Sequence, residues 1–180
     1  MSLNFRKMND TQQIIHYQSN VAALQQLGSW FDYMRANGVY DNTRIILVAD
    51  HGRILRQLDD LIVSFDDGTS IDISAFYPLL MVKDFNAKDF KTSDEFMTNA
   101  DVPTIAFDSI VNDPVNPFTG AKIDSAEKNA HDQYITNSQE FSVGANSGNI
   151  FSPADWYAVH DDIRDPSNWK QMAVDSRMPY

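Results

Sequence analysis

An acid, a histidine and a glycine stand together at Asp50, His51 and Gly52. A carboxylate oxygen and a neutral imidazole nitrogen both suit zinc or manganese, so Asp50 and His51 are candidate metal ligands. Zinc sites generally use three or four ligands, and two do not complete such a site. The alternative is a solvated corner between a strand and a loop, because an isolated Asp-His-Gly is a weak motif.

The stretch before this pair is apolar throughout, from Ile45 to Ala49. A run that does not alternate predicts a strand over residues 44–49 that is buried on both faces, as in the centre of a mainly parallel sheet. In open α/β sheets, binding residues gather at the carboxyl ends of the strands, where Asp50 and His51 would lie. Adjacent strand residues point to opposite faces, so both can reach one ion only where the chain bends, and Gly52 permits a bend.

A helix is predicted before this strand, over residues 11–37. Its apolar residues recur at steps of three and four, which is helical spacing. This spacing predicts an apolar stripe that faces the core. The residues of the stripe are Ile14, Tyr17, Val21, Leu24, Leu27, Phe31 and Met34. Asp10 or Thr11 can cap its start, and Asn37 with Gly38 suits its end. A helix followed by a buried strand is half of an α/β repeat.

Further elements follow along the chain. Residues 61–65 and 69–74 flank Asp66, Asp67 and Gly68 as a plausible hairpin, although the first of them could instead end a helix. Residues 77–83 read as a second buried strand, and residues 98–111 as a helix with Pro103 in its first turn. Residues 131–136 and 155–160 could be strands of a small antiparallel extension. Residues 142–149 are rich in turn formers and read as a loop, and they lack the Gly-Lys-Ser/Thr that a phosphate loop requires. The turn-rich segment 112–120 suggests a division into 1–112, a partial α/β domain that carries the Asp-His pair, and 113–180, a tail subdomain.

Composition excludes several classes of function. The chain has 180 residues, a formal net charge of −11 and no cysteine. The acidic balance without a basic stripe argues against a nucleic-acid partner, because phosphate contacts need clustered Lys and Arg. Disulfides and thiolate metal sites are excluded. No apolar run is long enough to span a membrane.

The stretch "GVYDNTRIILVADHG", residues 38–52, resembles the "gl.dNT.ii..sDHG" pattern of the sulfatase branch of the alkaline phosphatase superfamily, and looks most like the membrane-anchored phosphoethanolamine and phosphoglycerol transferases. "YPLLMVKDF" and "TNADVPTIAFDSI" resemble two later segments of that family in the same order. The resemblance implies a mainly parallel α/β sheet covered by helices, with a small α+β tail. It also implies that Asp50 and His51 ligate a catalytic divalent metal, which is zinc, manganese or calcium.

The resemblance also implies what this chain lacks. The family keeps its nucleophile and its other metal carboxylates in an N-terminal half, so we expect this chain to be the C-terminal portion of a larger enzyme and assign it no catalytic nucleophile. The expected partners are that missing half and a sulfate- or phosphate-ester substrate, which Arg53 and Lys83 could contact; surface salt bridges are the alternative for both. The transferase branch works outside the cytoplasm, tethered to a membrane. Apolar strands that have lost part of their cover predict self-association. The competing function is a non-catalytic interaction or scaffold domain that has kept the fold.

Overall fold

The structure, a computed structural model, describes residues 10–56, 58–137 and 155–172. Its helices are α1 (Thr11–Ala36), α2 (Val102–Phe107) and α3 (Ser125–Asn129). Its strands are β1 (Ile45–Val48), β2 (Ile62–Ser64), β3 (Ser70–Asp72), β4 (Leu80–Lys83), β5 (Gln133–Asn137), β6 (Asp155–Val159) and β7 (Trp169–Gln171). No helix in these ranges is long and apolar enough to cross a membrane.

The strands form three small antiparallel sheets, β1–β4, β2–β3 and β5–β6–β7. The prediction of a mainly parallel, alkaline-phosphatase-like sheet covered by helices is therefore wrong. A continuous apolar run reports that a strand is hydrophobic, but it carries no information about the direction of the neighbouring strand. Here Ile45 lies opposite Lys83 and Val48 lies opposite Leu80, so β1 and β4 run in opposite directions.

The predicted burial of β1 and β4 on both faces is also wrong. Ile45 is the one fully buried residue of β1, and Val48 at its other end is 45% exposed. In β4, Met81 and Val82 are both exposed. A two-stranded ribbon has too few neighbours to cover both of its faces, so these apolar side chains stay in contact with solvent.

Helix α1 begins and ends almost where its sequence predicts. The Asp10 side chain accepts a hydrogen bond from the Gln12 N–H at 2.8 Å and caps the start. Gly38, at a φ of +68°, lets the chain turn left-handed after the last turn. The apolar stripe, in contrast, does not face a core along its length: Tyr17 is 57% exposed and Leu24 is 54% exposed. Within α1 only Met34 is fully buried.

The main hydrophobic core lies between the β2–β3 hairpin and the β5–β6–β7 sheet. Its fully buried members come from both parts of the chain: Val63, Ile73, Tyr157, Val159 and Trp169. The rings of Phe65 and Tyr157 stack with their centroids 5.7 Å apart. Side chains before and after residue 112 thus share one core.

Other predicted elements are confirmed. The β2–β3 pair is the expected hairpin around Gly68, with Val63 opposite Ile71. The helix predicted over 98–111 is confirmed only in part: a 3₁₀ turn, Asn99–Asp101, leads into α2 with Pro103 in its first turn, but α2 ends at Phe107, four residues before the predicted end. Strands β5 and β6 form the predicted antiparallel extension. The predicted loop 142–149 lies outside the described residues.

Candidate functional site

Asp50 and His51 follow the end of β1, where the backbone has left the strand conformation. Their side chains point the same way, and the Asp50 Oδ2 and His51 Nε2 atoms lie 3.8 Å apart. Both side chains reach into solvent, with 90% of Asp50 and 68% of His51 exposed. The structure therefore brings the two predicted ligands together at an accessible position.

The hydrogen bond of the His51 ring determines which of its two nitrogens is available to bind a metal. Its Nδ1 lies 2.6 Å from the Gly52 carbonyl oxygen. Because a carbonyl only accepts hydrogen bonds, the neutral ring carries its proton on Nδ1 and presents an unprotonated Nε2. Metal-binding histidines commonly use this arrangement, in which the non-ligating nitrogen donates to a carbonyl.

Asn99 holds the main chain beneath this pair. Its Nδ2 donates to the carbonyl oxygens of Ala49, at 3.1 Å, and Asp50, at 2.8 Å. Both bonds join segments about fifty residues apart in sequence. They attach the end of β1 to the 3₁₀ turn before α2. Thr98, the residue before Asn99, occupies the capping position of this turn, which leaves the Asn99 side chain free to make these two bonds.

Gly52 packs directly against another stretch of main chain. Its N–H donates to the Ala75 carbonyl oxygen at 2.8 Å, and a Cβ added at this position would lie 1.7 Å from the Ser74 carbonyl oxygen. The expected reason for glycine, a bend that other residues resist, is wrong. Gly38, Gly68 and Gly120 have positive φ angles, and Gly52 does not. Glycine is required here because any side chain would collide with the neighbouring backbone.

The buried carboxylate of Asp72 organises the loop after Gly52. It accepts hydrogen bonds from the N–H groups of Leu55 and Arg56, at 3.1 and 2.7 Å, and from Ser74 N–H at 3.0 Å. Arg56 has a φ of +48°, an unusual value for a residue with a side chain. These bonds to a carboxylate that is only 4% exposed compensate for that conformation.

The two candidate substrate contacts lie in different surroundings. Arg53 lies two residues after His51 and is exposed, and its own carbonyl accepts a hydrogen bond from the Ser74 hydroxyl at 2.9 Å. Lys83 lies at the far end of β4, opposite Ile45 rather than Val48. Its ammonium donates to the carbonyls of Tyr40, Asp41 and Thr43. The antiparallel pairing thus separates Lys83 from the Asp50–His51 end of β1.

Arg44 is a buried cation that joins three elements. It donates to Asp84 through Nε and Nη2, at 3.0 and 2.9 Å, and through Nη1 to the carbonyl oxygens of Ile105 and Ala106 near the end of α2. The Phe85 N–H and then Arg44 stabilise the charged carboxylate, so the pKa of Asp84 lies below its ordinary value. A cleft of about 340 Å³ opens beside this pair and is lined in part by Val82 and Thr104. It does not include Asp50 or His51.

Asp101 is almost completely buried, with 2% of its side chain exposed. Burial by itself raises its pKa, but hydrogen bonds from Lys128 Nζ at 2.8 Å, Thr98 N–H at 2.8 Å and Asn116 Nδ2 at 2.9 Å outweigh burial and leave the pKa below its ordinary value. The ionised carboxylate thereby connects α2, α3 and the 112–120 loop. It holds in place the segment that carries Asn99.

A second histidine–aspartate pair lies at one end of the β5–β6–β7 sheet, just outside its strands. His160 Nδ1 is 2.9 Å from Asp132 Oδ1, where β6 ends beside the start of β5. Within residues 10–56, 58–137 and 155–172, no three histidine, aspartate or glutamate side chains are grouped so that they could hold a metal ion. The described part of the chain therefore offers Asp50 and His51 as two ligands and no third.

Comparison with protein-family models, with curated proteins and with solved structures finds no match to this chain. The resemblance to the sulfatase family stays a prediction from the sequence.

Proposed function

We propose that Asp50 and His51 supply two ligands to a divalent metal in a hydrolase or transferase that acts on sulfate or phosphate esters. The observation that carries the proposal is the 3.8 Å separation of Asp50 Oδ2 and His51 Nε2. Two ligands of one tetrahedral zinc ion lie roughly 3.4 Å apart when each bond is about 2.1 Å long. A small rotation of either side chain closes the difference.

The surroundings of the pair support this role. The side chains are exposed, whereas the main chain beneath them is held by Asn99 and by the contact between Gly52 and Ser74. The held backbone fixes where the two side chains start, and the local hydrogen bonds of Asp50 Oδ1 with His51 N–H and of His51 Nδ1 with the Gly52 carbonyl orient them, while their exposure leaves them accessible to a metal. An imidazole whose Nδ1 donates to a carbonyl has Nε2 ready for the metal.

Two ligands leave the metal centre incomplete. The remaining ligands and the hydroxyl nucleophile would come from residues outside the described part of the chain, which the resemblance assigns to an N-terminal half. When bound, zinc, manganese or calcium would offset negative charge on the ester oxygens during the displacement. In this chain, Asp50 would contribute a negative ligand and His51 a neutral one. The proposal includes an extracytoplasmic, membrane-tethered location for the complete enzyme.

Activity of the natural protein that contains this chain tests the proposal. We expect it to hydrolyse 4-nitrophenyl phosphate or 4-nitrophenyl sulfate with added manganese or zinc. Asp50→Asn and His51→Gln should each lower kcat/KM at least about 100-fold, because ligand loss costs more than the loss of an outer partner. His160→Gln is the matched control, since it removes the histidine of another exposed pair and should retain activity. Full activity in both ligand variants, or no turnover of either ester, would overturn the proposal.

A non-catalytic interaction domain is the second candidate. The observation that favours it is the exposed apolar surface of α1, which includes Tyr17 and Leu24. Large exposed apolar surfaces commonly mark interaction sites. The same assay separates the two functions, because an interaction domain turns over neither ester.

A further inference from the structure

Six residues of α1 follow a strict seven-residue pattern. Ile14, Tyr17, Val21, Leu24, Gly28 and Phe31 are separated by alternating steps of three and four, as the a and d positions of a coiled coil are. We refer to these six residues as the α1 seam. Ile14, Tyr17 and Leu24 are exposed, and Val21, Gly28 and Phe31 are partly covered. Much of the seam therefore lacks a packing partner among the described residues.

The seam lies on a helix that is almost free of charge. From Thr11 to Phe31, α1 has no aspartate, glutamate, lysine or arginine, although the chain as a whole carries a net charge of −11. Two copies of so acidic a chain repel each other over most of their surface. An uncharged helix is the surface on which two identical copies can meet with little electrostatic cost.

Gly28 adds an independent indication of close helix packing. A glycine inside a helix costs up to about 1 kcal/mol relative to alanine, so its presence calls for a steric reason. Among the described residues, apart from the backbone of its own helical turns, nothing lies within 4 Å of a Cβ built at Gly28. The described part of the chain therefore gives no steric reason for a glycine at this position. Without a side chain, Gly28 leaves an open notch in the α1 seam.

We propose that two copies of this chain pair through their α1 seams with the helices antiparallel. In the symmetric register, Tyr17 of each copy faces the Gly28 notch of the other. Ile14 then faces Phe31, and Val21 faces Leu24. Every large side chain meets another apolar residue or the notch, so the seam is complementary to itself, as a two-fold interface requires.

The size of this surface suits a weak, reversible dimer. A 26-residue helix is roughly 39 Å long and about 11 Å wide, so covering half of it buries roughly 600–700 Å² on each copy. Standard interfaces bury about 800 Å² on each partner. The self-complementary register favours a second copy over an unrelated partner, whose pattern would have no reason to mirror this one. The inference is independent of the proposed metal site.

Sedimentation equilibrium of the chain from about 1 μM to about 1 mM tests the pairing over the range of weak dimers. We expect a monomer–dimer equilibrium. Leu24→Glu should weaken it at least about tenfold, because the two introduced charges would meet at the centre of the interface. Gln26→Glu is the matched control, since it adds the same charge on the opposite side of the helix and should leave most of the dimer. A monomer throughout the range, or equal loss in both variants, would overturn the proposal.

A second variant separates pairing from folding. Gly28→Gln replaces glycine by a better helix former, so the variant should unfold at a higher temperature at low protein concentration. It also fills the notch that would receive Tyr17 and should weaken dimerisation. A higher unfolding temperature together with weaker dimerisation would support pairing through the α1 seam. Unchanged dimerisation in Gly28→Gln would refute this register, and an interface elsewhere on the chain would then be required.

Discussion

Gly52 and Ser74 approach so closely that a Cβ on Gly52 would lie 1.7 Å from the Ser74 carbonyl oxygen. We expect Gly52→Ala to lower the free energy of unfolding by about 3 kcal/mol, because backbone atoms on both sides must move and the Gly52–Ala75 hydrogen bond is strained. Urea unfolding followed by circular dichroism measures the change.

Gly28→Ala is the control for this variant. It adds the same methyl group at a position where no described residue outside the helix's own turns lies within 4 Å, and the helix gains up to about 1 kcal/mol. Equal stability of Gly52→Ala and the unmodified chain would show that the 51–56 loop can move away from residues 74 and 75.

The combined variant Asp50→Asn/His51→Gln should change the free energy of unfolding by less than about 0.5 kcal/mol in metal-free buffer. Both side chains are mostly exposed, and surface substitutions of this kind usually have small effects. Thermal melts with a chelator present make the measurement. A loss of several kcal/mol would show that the pair stabilises the fold, which would remove the main support for its role as free ligands.

Lys128→Met should lower the free energy of unfolding by about 2–3 kcal/mol. The substitution keeps an apolar stem of similar length but leaves the buried Asp101 carboxylate without its cation. Lys122→Met is the control, because Lys122 pairs with Asp113 on the surface and should contribute less than about 1 kcal/mol. Chemical denaturation at neutral pH compares the two variants.

The Lys128–Asp101 pair also predicts that the free energy of unfolding depends on pH. The pKa of Asp101 is lower in the folded protein than in the unfolded chain, so the unfolded chain binds the extra proton as the pH falls. This contribution to stability is complete above about pH 5 and decreases as the pH falls through about 4 towards the lower folded pKa. In Lys128→Met, burial raises the pKa of Asp101 without the opposing cation, so the dependence should shrink or reverse. Unfolding free energies measured between about pH 2.5 and 6 test this, and identical slopes in the two proteins would contradict it.

Arg44→Lys should destabilise the protein by about 2 kcal/mol even though the charge is retained. A lysine ammonium cannot reproduce the forked contact with Asp84 together with the bonds to the end of α2. Arg35→Lys is the control, since Arg35 is half exposed, pairs with Asp32 on the helix surface and lies over the Tyr40 ring, so the substitution should cost less than about 1 kcal/mol. Similar stabilities for both variants would show that α2 does not depend on Arg44.

Local features of the fold could be predicted because their causes are local. Helix α1 is bounded by a capping aspartate at Asp10 and a left-handed glycine at Gly38, both visible in the sequence. The β2–β3 hairpin follows from the Asp-Asp-Gly turn. The direction of the sheet could not be predicted, because it depends on which distant strand pairs with β1, and apolar residues suit either direction.

The candidate site, like the fold, could be predicted only in part from the sequence. Asp50 and His51 could be located at the end of a strand from the apolar run before them. The residues that hold their backbone, Asn99 and Ser74, could not, since each reaches the site across a long stretch of chain. An asparagine before a helix is typical of a cap, and nothing in its neighbours indicates a bond to Ala49.

The shared core has a consequence for how the protein is made. Ile73 and Val159 pack in one cluster but are 86 residues apart in the sequence. At synthesis rates of about 5–20 residues per second, roughly 4–17 seconds pass between their emergence from the ribosome. During that interval the apolar residues of the β2–β3 hairpin, among them Val63, are not yet covered by the side chains that pack against them in the complete protein. Until β6 and β7 are synthesised, the nascent chain exposes an apolar surface of the kind that chaperones bind.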